Sequence, residues 1–465
     1  MTERLKILIV TDDALGAKMA GPAIRAWNIA EALAPQHDVR LASTLRAEAS
    51  SPNFAVCDGS PEMLPGIAEN MDVIVTQGFT LFYRPWLAGL GAKMVVDLYD
   101  PIHLETLEGE AGEDREDDAR HQRLVDGCLQ ALKIQIQVGD FFLCASERQR
   151  DLWLGHLSAL GRVNVPNYRH DTTLRKLIDV APFGIPEAPP PTGRAIKGVI
   201  EGIDVGDTVL LWAGGVYNWF DPVTLVNAIA ALAPQHPTLK LVFMGTRHPS
   251  LEDISTTVLR QAIAVADGHG LIGSHVFFRE GWVPYDERGK YLTDADIGVS
   301  THFLHVETAF SFRTRMLDYL WAGLPIVCTE GDEFARIVAE QGLGRVVGSG
   351  DTQGLVEALR ELLDDPVELA TAAAAVRATA PQYHWARALQ PLVDYCAAPY
   401  SAPDKGSAAA NPGRGAELGG RIDRRLAHVR EYAAVNGWGR LLRRGTRRVL
   451  ARLLRPVRRL LTVGG

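Results

Sequence analysis

The chain has 465 residues, of which 47% are hydrophobic and 22% are charged. This composition is typical of a globular protein and excludes a collagen-like, mucin-like or wholly disordered chain. The formal net charge of -8 hides an asymmetry, because residues 421–465 hold thirteen Arg, no Lys and two acidic residues and so carry +11. The other 420 residues carry -19, which argues against a general nucleic-acid-binding function and predicts no nucleic-acid partner.

The N-terminal sequence MTERLKILIV runs directly into a strand-like stretch without a signal-peptide cleavage site. No apolar run reaches the roughly 18 residues that a membrane-spanning helix needs. We therefore expect a cytoplasmic protein. The cysteines are far apart and form no CxxC pair, so we interpret them as buried thiols and not as zinc ligands or disulfides.

Short apolar runs alternate with amphipathic stretches up to about residue 365, a pattern that predicts βαβ units around parallel sheets. In the first half, strands are predicted at 5–10, 39–43, 71–76, 93–98 and 140–146, and helices at 22–33 and 120–138. In the second half, strands are predicted at 208–214, 239–245, 275–281, 295–300 and 324–329, and helices at 222–232, 284–294, 312–322, 351–363 and 382–397.

The proline-rich segment IPEAPPPTG at 185–193 separates the two series, because its prolines lack backbone donors and interrupt helices and sheets alike. We therefore predict an α/β protein with two Rossmann-like doubly wound domains, 1–185 and 186–398, facing each other across a cleft. The helix at 382–397 is a candidate to cross back to the first domain. Residues 399–420, rich in Gly, Ala, Ser and Pro, are predicted to form a flexible linker to an amphipathic Arg-rich tail at 421–465.

Two turns in the first half carry candidate site residues. Gly21 precedes Pro22 at a predicted helix start, where backbone N–H groups and the helix dipole attract an anion such as phosphate. Asp100 and His103 follow a predicted central strand, so they are expected at the cleft edge, where a carboxylate orients a sugar hydroxyl and an imidazole takes up a proton. The alternatives are an ordinary strand-to-helix turn, a capping aspartate and a surface histidine.

The segment 305–332 carries the other charged candidates. If the helix start faces the cleft, Arg313 and Arg315 supply fixed cationic donors for a diphosphate, and Asp318 accepts hydrogen bonds from the hydroxyls of a ribose. The alternative is an exposed pair between Arg315 and Asp318 within one helix.

Several runs of the sequence together resemble the nucleotide-sugar glycosyltransferases of family 4, which have the two-domain GT-B architecture. The runs are FSFRTRMLDYLWAGLPIV, LLWAGGVYNWFDPVTLVNAIA, GPAIRAWNIAEAL and VAPFGIP, and the resemblance covers approximately residues 5–395. In that family a motif of two glutamates eight residues apart precedes the A-x-G-x-P-V turn, and the second glutamate binds the donor ribose. Asp318 stands at the second position. Phe310 occupies the first, so Glu307 is the candidate to hold the transferred sugar in its place.

The glycine turn AGGVYNWFD also departs from the family, in which many members carry Arg and Lys in this loop for the donor diphosphate. Gly214 and Gly215 still permit close approach of the backbone, and the resemblance then leaves the positive charge to Arg313 and Arg315. The alternative is that the loop only packs Trp219 and Phe220 in the cleft. The resemblance implies a nucleotide-sugar donor, a glycan or lipid-linked acceptor, retention of anomeric configuration, and no metal or other cofactor.

Residues 438–461 can form a helix with an apolar stripe and nine Arg on the remaining faces. This pattern is typical of a helix that lies on an anionic membrane, here the inner face, while RNA and a protein partner are alternative ligands. The sequence is also compatible with two other functions. One is a catalytically silent GT-B binding or assembly subunit, and the other is a nucleotide-sugar epimerase or phosphorylase of the same fold.

Overall fold

The computed structural model describes residues 4–17, 19–109, 118–245, 256–281 and 283–405. The described residues up to Lys405 form one compact unit that contains two parallel sheets. In these ranges, no helix combines the length and apolar character that crossing a membrane requires. The Arg-rich tail predicted at 421–465 and most of the predicted linker lie outside the described residues.

The first sheet has seven parallel strands in the order β3-β2-β1-β4-β5-β6-β7. The strands are β1 (Lys6–Thr11), β2 (Asp38–Ser43), β3 (Ala55–Asp58), β4 (Val73–Gln77), β5 (Lys93–Asp97), β6 (Phe141–Cys144) and β7 (Ile178–Val180). The chain moves outward in one direction from β1 to β3 and in the other from β4 to β7. The order therefore reverses between β1 and β4, and this reversal opens a crevice at the carboxyl ends of the strands.

In the described part of the chain up to His170, seven helices accompany this sheet and form the first lobe with it. They are α1 (Gly21–Leu33), α2 (Leu64–Ala68), α3 (Thr80–Tyr83), α4 (Ile102–Gly109), α5 (Asp118–Val138), α6 (Glu147–Ala159) and α7 (Val165–His170). Helix α1 starts with Pro22 in its first turn, where a missing N–H costs nothing. It buries Ala23, Ile29 and Leu33 against the sheet at helical spacing.

The second sheet has six parallel strands in the order β10-β9-β8-β11-β12-β13. The strands are β8 (Thr208–Trp212), β9 (Leu239–Phe243), β10 (Val276–Phe278), β11 (Ile297–Ser300), β12 (Ile326–Thr329) and β13 (Gly344–Val347). The helices that complete this second lobe are α8 (Pro222–Leu232), α9 (Thr257–Gly268), α10 (Arg288–Thr293), α11 (Val306–Phe310), α12 (Thr314–Ala322), α13 (Glu333–Gln341), α14 (Thr352–Asp364) and α15 (Pro366–Thr379). The predicted fold, two α/β domains with parallel sheets, is confirmed.

The sequence pattern missed three strands, all at or beside a sheet edge. Strands β3 and β13 are only partly buried, and β7 has three residues, so none of them shows a long apolar run. The predicted helix at 284–294 begins only at Arg288, after a short 3-10 turn that follows Pro284.

After α15 the chain returns to the first lobe. Two short helices, α16 (Trp385–Ala388) and α17 (Gln390–Ala397), replace the single helix predicted at 382–397. Tyr395 stacks on Phe141 of β6 with ring centres 4.6 Å apart, and Trp385 packs on Phe183 at 4.9 Å. The C-terminal helices therefore add to the core of the first lobe, although they follow the second lobe in sequence.

The linker predicted to start at residue 399 differs from the structure, in which residues 399–405 pack on the first lobe. The Ala402 N–H and the Lys405 ammonium both donate to Asp140, at 2.9 and 2.8 Å. Asp404 forms a buried ion pair with Arg162, with 2.7 Å between Nε and Oδ2. These hydrogen bonds and ion pairs hold residues 399–405 on the first lobe. The low apolar content of the segment does not predict such order.

Replacing Asp404 with Ala should lower the free energy of unfolding by about 3–5 kcal/mol, because it leaves the buried Arg162 guanidinium without its carboxylate. Urea denaturation measures the loss. The matched control is Asp394→Ala, which removes an exposed carboxylate from α17 and should change stability by about 0.5 kcal/mol or less. Equal effects of the two substitutions would contradict the packing of this segment on the first lobe.

Candidate active site

A glycine turn follows strand β8 at the carboxyl edge of the second sheet. Gly214 has φ of +103°, in the left-handed region that favours glycine. A Cβ on Gly215 would lie 2.7 Å from the ring of Tyr217, so a side chain here would displace that ring. Tyr217 in turn stacks on Trp219 with ring centres 4.9 Å apart. The backbone of this glycine turn is therefore covered by aromatic rings.

Arg315, in the first turn of α12, packs its guanidinium on the rings of Trp212 and Phe220. Its guanidinium carbon lies 4.3 Å from the ring centre of Trp212 and 4.0 Å from that of Phe220. Nη2 donates to the Gly215 carbonyl at 2.6 Å, while Nη1 is buried and has no hydrogen-bond partner in the described part of the chain. Burial lowers the pKa of Arg315 to about 10, so the side chain is still a cation at neutral pH. A fixed positive charge thus lies directly beside the glycine turn.

Arg313 is held by a carboxylate of the preceding helix. Glu307 is completely buried and accepts from both terminal nitrogens of Arg313, at 2.9 and 2.6 Å. The Arg313 guanidinium also lies 4.9 Å from the ring centre of Phe220, and its Nε is 3.8 Å from Asp332. Burial raises the pKa of Asp332 to about 6. Because Glu307 neutralises it, Arg313 is not free for a diphosphate in this arrangement, contrary to the expectation from the sequence.

Two carboxyl groups of the first lobe share a hydrogen bond near Glu307. Asp100 follows β5 and Glu105 lies in α4, and their side chains are hydrogen-bonded to each other. Burial, and after it the negative charge of Glu307, raises the pKa of Asp100 to about 7. Burial also raises the pKa of Glu105 well above its usual value. The pair therefore retains a proton close to neutral pH.

The lobes meet through bonds that bring these carboxyl groups together. Gln149 of α6 is completely buried, and its Nε2 donates to the carbonyls of Tyr99 and Phe310, both at 2.9 Å. Arg148 donates to the Gly331 carbonyl at 2.9 Å. Gln149 thus joins the loop that carries Asp100 to the end of the helix that carries Glu307. Gln149 was not among the residues predicted from the sequence, because a glutamine in the first turn of a helix carries no signal of such a contact.

His103 does not lie where the sequence analysis expected it. Its imidazole is buried against Trp153 and His156 of α6, with ring centres 5.9 and 5.3 Å away. Burial lowers its pKa to about 4, so the ring is neutral at physiological pH. The prediction that His103 lies at the cleft edge is therefore wrong, because helix α4 turns this residue toward the core of the first lobe. Asp100 and Glu105 remain where the two lobes meet.

The remaining candidates lie on helix surfaces. Gly21 opens α1, and no atom lies within 4 Å of the position that a Cβ would take, so space is available there. Asp318 is partly exposed and pairs with Arg288 of α10 at 3.1 Å, and not with Arg315 of its own helix. Arg288 also lies over the ring of Trp321, 4.8 Å from its centre. The alternative of an Arg315–Asp318 pair within α12 is therefore wrong.

The raised pKa of Asp100 predicts a pH dependence of stability. A carboxyl group whose pKa is higher in the folded state than in the unfolded state binds more protons when folded, so its contribution to stability falls as pH rises toward 7. Asp100→Asn removes this titration, so its stability relative to the wild type should increase between about pH 5 and pH 8. Urea denaturation across this range measures the difference. Asp151→Asn, an exposed position in α6, is the control, and parallel curves for wild type and Asp100→Asn would contradict the prediction.

Comparison with known proteins bears on the second lobe. Residues 207–365 match the family model described as glycosyl transferases group 1. This range contains the Gly214–Gly215 turn, Arg315 and Asp318. No curated protein sequence matches the chain.

Solved glycosyltransferase structures share the fold of the whole described part. HepE from Anabaena, solved with UDP and glucose, is 14% identical with a TM-score of 0.61, over 84% of this chain and 99% of HepE. WaaG, a glycosyltransferase of lipopolysaccharide biosynthesis, is 15% identical with a TM-score of 0.55, over 84% of this chain and 99% of WaaG. Sucrose-phosphate synthase from Thermosynechococcus elongatus is 16% identical with a TM-score of 0.57, over 84% of this chain and 98% of that enzyme. The protein therefore has the two-lobed GT-B fold, and residues 207–365 of its second lobe match the group 1 glycosyl transferase model.

Proposed function

We propose that the protein transfers a sugar from a nucleoside diphosphate to a hydroxyl group of a glycan or lipid-linked acceptor. The observation that carries the proposal is the Arg315 guanidinium, a buried cation beside the Gly214–Gly215 turn within the group 1 domain. No carboxylate among the described residues forms an ion pair with it, so an anionic ligand is its natural partner. HepE binds UDP-glucose, which supports a nucleotide sugar as the donor class.

The second lobe supplies the groups that this reaction needs around the donor. Breaking the bond between the sugar and the diphosphate places negative charge on the leaving group, and fixed donors stabilise that charge. Arg315 Nη1 and the N-terminal turn of α12 lie together at the carboxyl edge of the sheet. The ring of Phe220 covers the guanidinium of Arg315. A diphosphate therefore reaches Nη1 only when the loop that carries Tyr217, Trp219 and Phe220 moves.

The other candidates take supporting roles in this proposal. Asp318 accepts hydrogen bonds from the donor ribose after releasing Arg288, its present partner. Glu307 acts through Arg313, because both oxygens of its carboxylate accept hydrogen bonds from that side chain. Gly21 and Asp100 belong to the acceptor side of the cleft, with Gly21 also open to a donor phosphate. Retention of configuration and a reaction without metal or other cofactor rest on the resemblance of the sequence to family 4.

A second function is favoured by one observation. Phe310 occupies the position of the first glutamate of the family motif, and Glu307, the candidate to replace it, is paired with Arg313. This favours a catalytically silent GT-B binding subunit. Binding of UDP without transfer to any acceptor would identify such a subunit. Conversion of a nucleotide sugar in the absence of acceptor would instead identify an epimerase.

The donor site is tested by Arg315→Met, which keeps a long side chain between Trp212 and Phe220 but removes the hydrogen-bond donors. A hydrogen bond to a charged group contributes about 1.5–3 kcal/mol, so affinity for UDP should fall by roughly ten- to a hundredfold. Isothermal titration calorimetry measures the change, with thermal unfolding as the check on folding. Arg345→Met is the control, since Arg345 pairs only with exposed carboxylates on the same lobe. Equal UDP affinity in wild type and Arg315→Met would remove Arg315 from the donor site.

The proposed membrane partner is tested by a chain that ends at Lys405, the last residue of the compact unit. The full chain should bind vesicles of anionic phospholipid and lose that binding at high salt, because nine Arg of residues 438–461 attract the lipid headgroups. The shortened chain should bind UDP as the full chain does but no longer sediment with the vesicles. Equal sedimentation of the two chains would show that residues 406–465 are not the anchor.

A further inference from the structure

The second lobe contains a groove of about 430 Å³ that is separate from the candidate donor site. Asp296 directly precedes β11 and Pro325 directly precedes β12, and both line the groove, so it opens at the amino edge of the second sheet. The Gly214–Gly215 turn follows β8 and lies at the opposite, carboxyl edge. The four residues of β11 span about 13 Å between these edges. A ligand in the groove and a ligand at Arg315 therefore occupy different sites.

The groove exists because the residues of two helices that line it are small. Ala322 and Gly323 line it at the end of α12, and Ala370 and Ala373 line it on α15. Larger side chains at these positions would fill the space between the helices, since packed interiors leave few voids. The volume that remains is in the range of sites for small molecules.

The buried part of the lining is apolar. Leu292 has no exposed surface and Leu324 is 5% exposed, and Pro325 and the partly buried Leu369 lie beside them in the groove. Covering these side chains with the apolar body of a ligand would remove hydrocarbon surface from water, which stabilises a complex.

One cationic side chain lies at the groove. Among the described residues of the lining, Arg377 of α15 is the only Lys, Arg or His. Its stem crosses the end of α12, where a Cβ on Gly323 would lie 3.0 Å from Arg377 Cγ and 3.6 Å from Nη1. The partial negative charge at the end of a helix attracts a guanidinium to this position. Within the ranges that the structure describes, however, Arg377 forms no hydrogen bond or ion pair, so its N–H donors are available to a ligand.

The carboxylate in the lining already has a cationic partner. Lys197 Nζ lies 2.9 Å from Oδ1 of Asp296 and 2.7 Å from Oδ2. Oδ2 also accepts a hydrogen bond from the Val209 N–H at 2.7 Å. Because Asp296 is neutralised by Lys197, the unpaired Arg377 determines which ligand charge the groove favours.

We propose that this groove binds a small organic anion, with its carboxylate or phosphate on Arg377 and its apolar body on Leu292, Leu324 and Leu369. The planar guanidinium matches two oxygens of either anionic group. Such a site goes beyond the proposed sugar transfer and does not depend on it, because the groove shares no residue with the donor site.

The test uses the full chain and three probes: 2-naphthoate, 2-naphthylmethanol, which lacks the charge, and acetate, which lacks the apolar body. Titrations followed by saturation-transfer NMR compare their affinities. The affinity for 2-naphthoate should exceed the other two by at least about tenfold, because only this probe uses both parts of the groove. Absence of 2-naphthoate binding, or equal affinity for 2-naphthylmethanol, overturns the proposal.

UDP separates this groove from the donor site. Saturating UDP should leave the affinity for 2-naphthoate unchanged, since the two ligands occupy opposite edges of the sheet. Displacement of 2-naphthoate by UDP would place the anion at Arg315 and overturn the proposal. Failure of the wild type to bind UDP contradicts the proposed function and leaves the result for 2-naphthoate to stand on its own.

Substitution of Arg377 tests the charge preference. Arg377→Met should lower the affinity for 2-naphthoate to that for 2-naphthylmethanol and leave the latter unchanged. Arg336→Met is the control, because Arg336 is an exposed arginine that pairs with Glu333 and Glu340 of its own helix. Equal affinities for 2-naphthoate in these two variants would contradict a role for Arg377.

A second pair of substitutions tests the space itself. Ala373→Leu fills the groove and should abolish binding of 2-naphthoate, whereas Ala374→Leu, at the exposed neighbouring position outside the lining, should not. Thermal unfolding checks that each variant is folded. Binding to folded Ala373→Leu with the affinity of the wild type would place the anion elsewhere.

Discussion

The structure depends on how it offsets the free-energy cost of one fully buried carboxylate, that of Glu307, close to where the two lobes meet. Glu307 has no contact with solvent, and an uncompensated charge in that position would cost several kcal/mol. Arg313 removes the cost with two parallel hydrogen bonds, and these bonds fix the turn between α11 and α12. Helix α12 begins directly after this turn, and its Arg315 lies against Trp212 and Phe220. Arg313 and Arg315 contact the same ring, Phe220, so this ion pair lies beside the candidate donor site.

The same carboxylate influences the opposite lobe. Its charge contributes to the raised pKa of Asp100, so the proton held between Asp100 and Glu105 depends on the two lobes being in contact. Gln149 maintains that contact by bonding to backbone carbonyls on both sides. Acidic groups on one side and a neutralised arginine on the other leave the junction rich in hydrogen-bond acceptors. Arg315 is the cation that remains for an anionic ligand among the candidate residues.

The architecture could be predicted from the sequence because it depends on local patterns. Buried parallel strands such as β1 and β8 are continuous apolar runs, and the prolines of 185–193 separate the two series. The short or half-buried strands β3, β7 and β13 lack that pattern and were missed. The order of residues 399–405 also escaped prediction, since it depends on Asp140 and Arg162, which lie more than 200 residues earlier.

The candidate site was predictable only in part, because a sequence gives residue types but not their partners. The motif drew attention to Arg313, Arg315 and Glu307, and the structure pairs the first with the last. It did not show that a break between two helices lets Glu307 reach Arg313, which lies six residues later. The pattern around Asp100 likewise did not show that α4 turns His103 toward Trp153. Glu105, two residues after His103, is the hydrogen-bond partner of Asp100.

The return of the chain to the first lobe has a mechanical consequence. The outgoing segment at Ile185 and the incoming segment at His384 run side by side and are hydrogen-bonded, with Ile185 N donating to Tyr383 O and Trp385 N to Ile185 O. Gly184 packs so closely on Trp385 that a Cβ there would lie 2.5 Å from the indole ring. Two adjacent backbones are therefore tied to each other where the chain leaves and re-enters the first lobe. Sliding one backbone past the other would break both hydrogen bonds and force Gly184 against the indole ring.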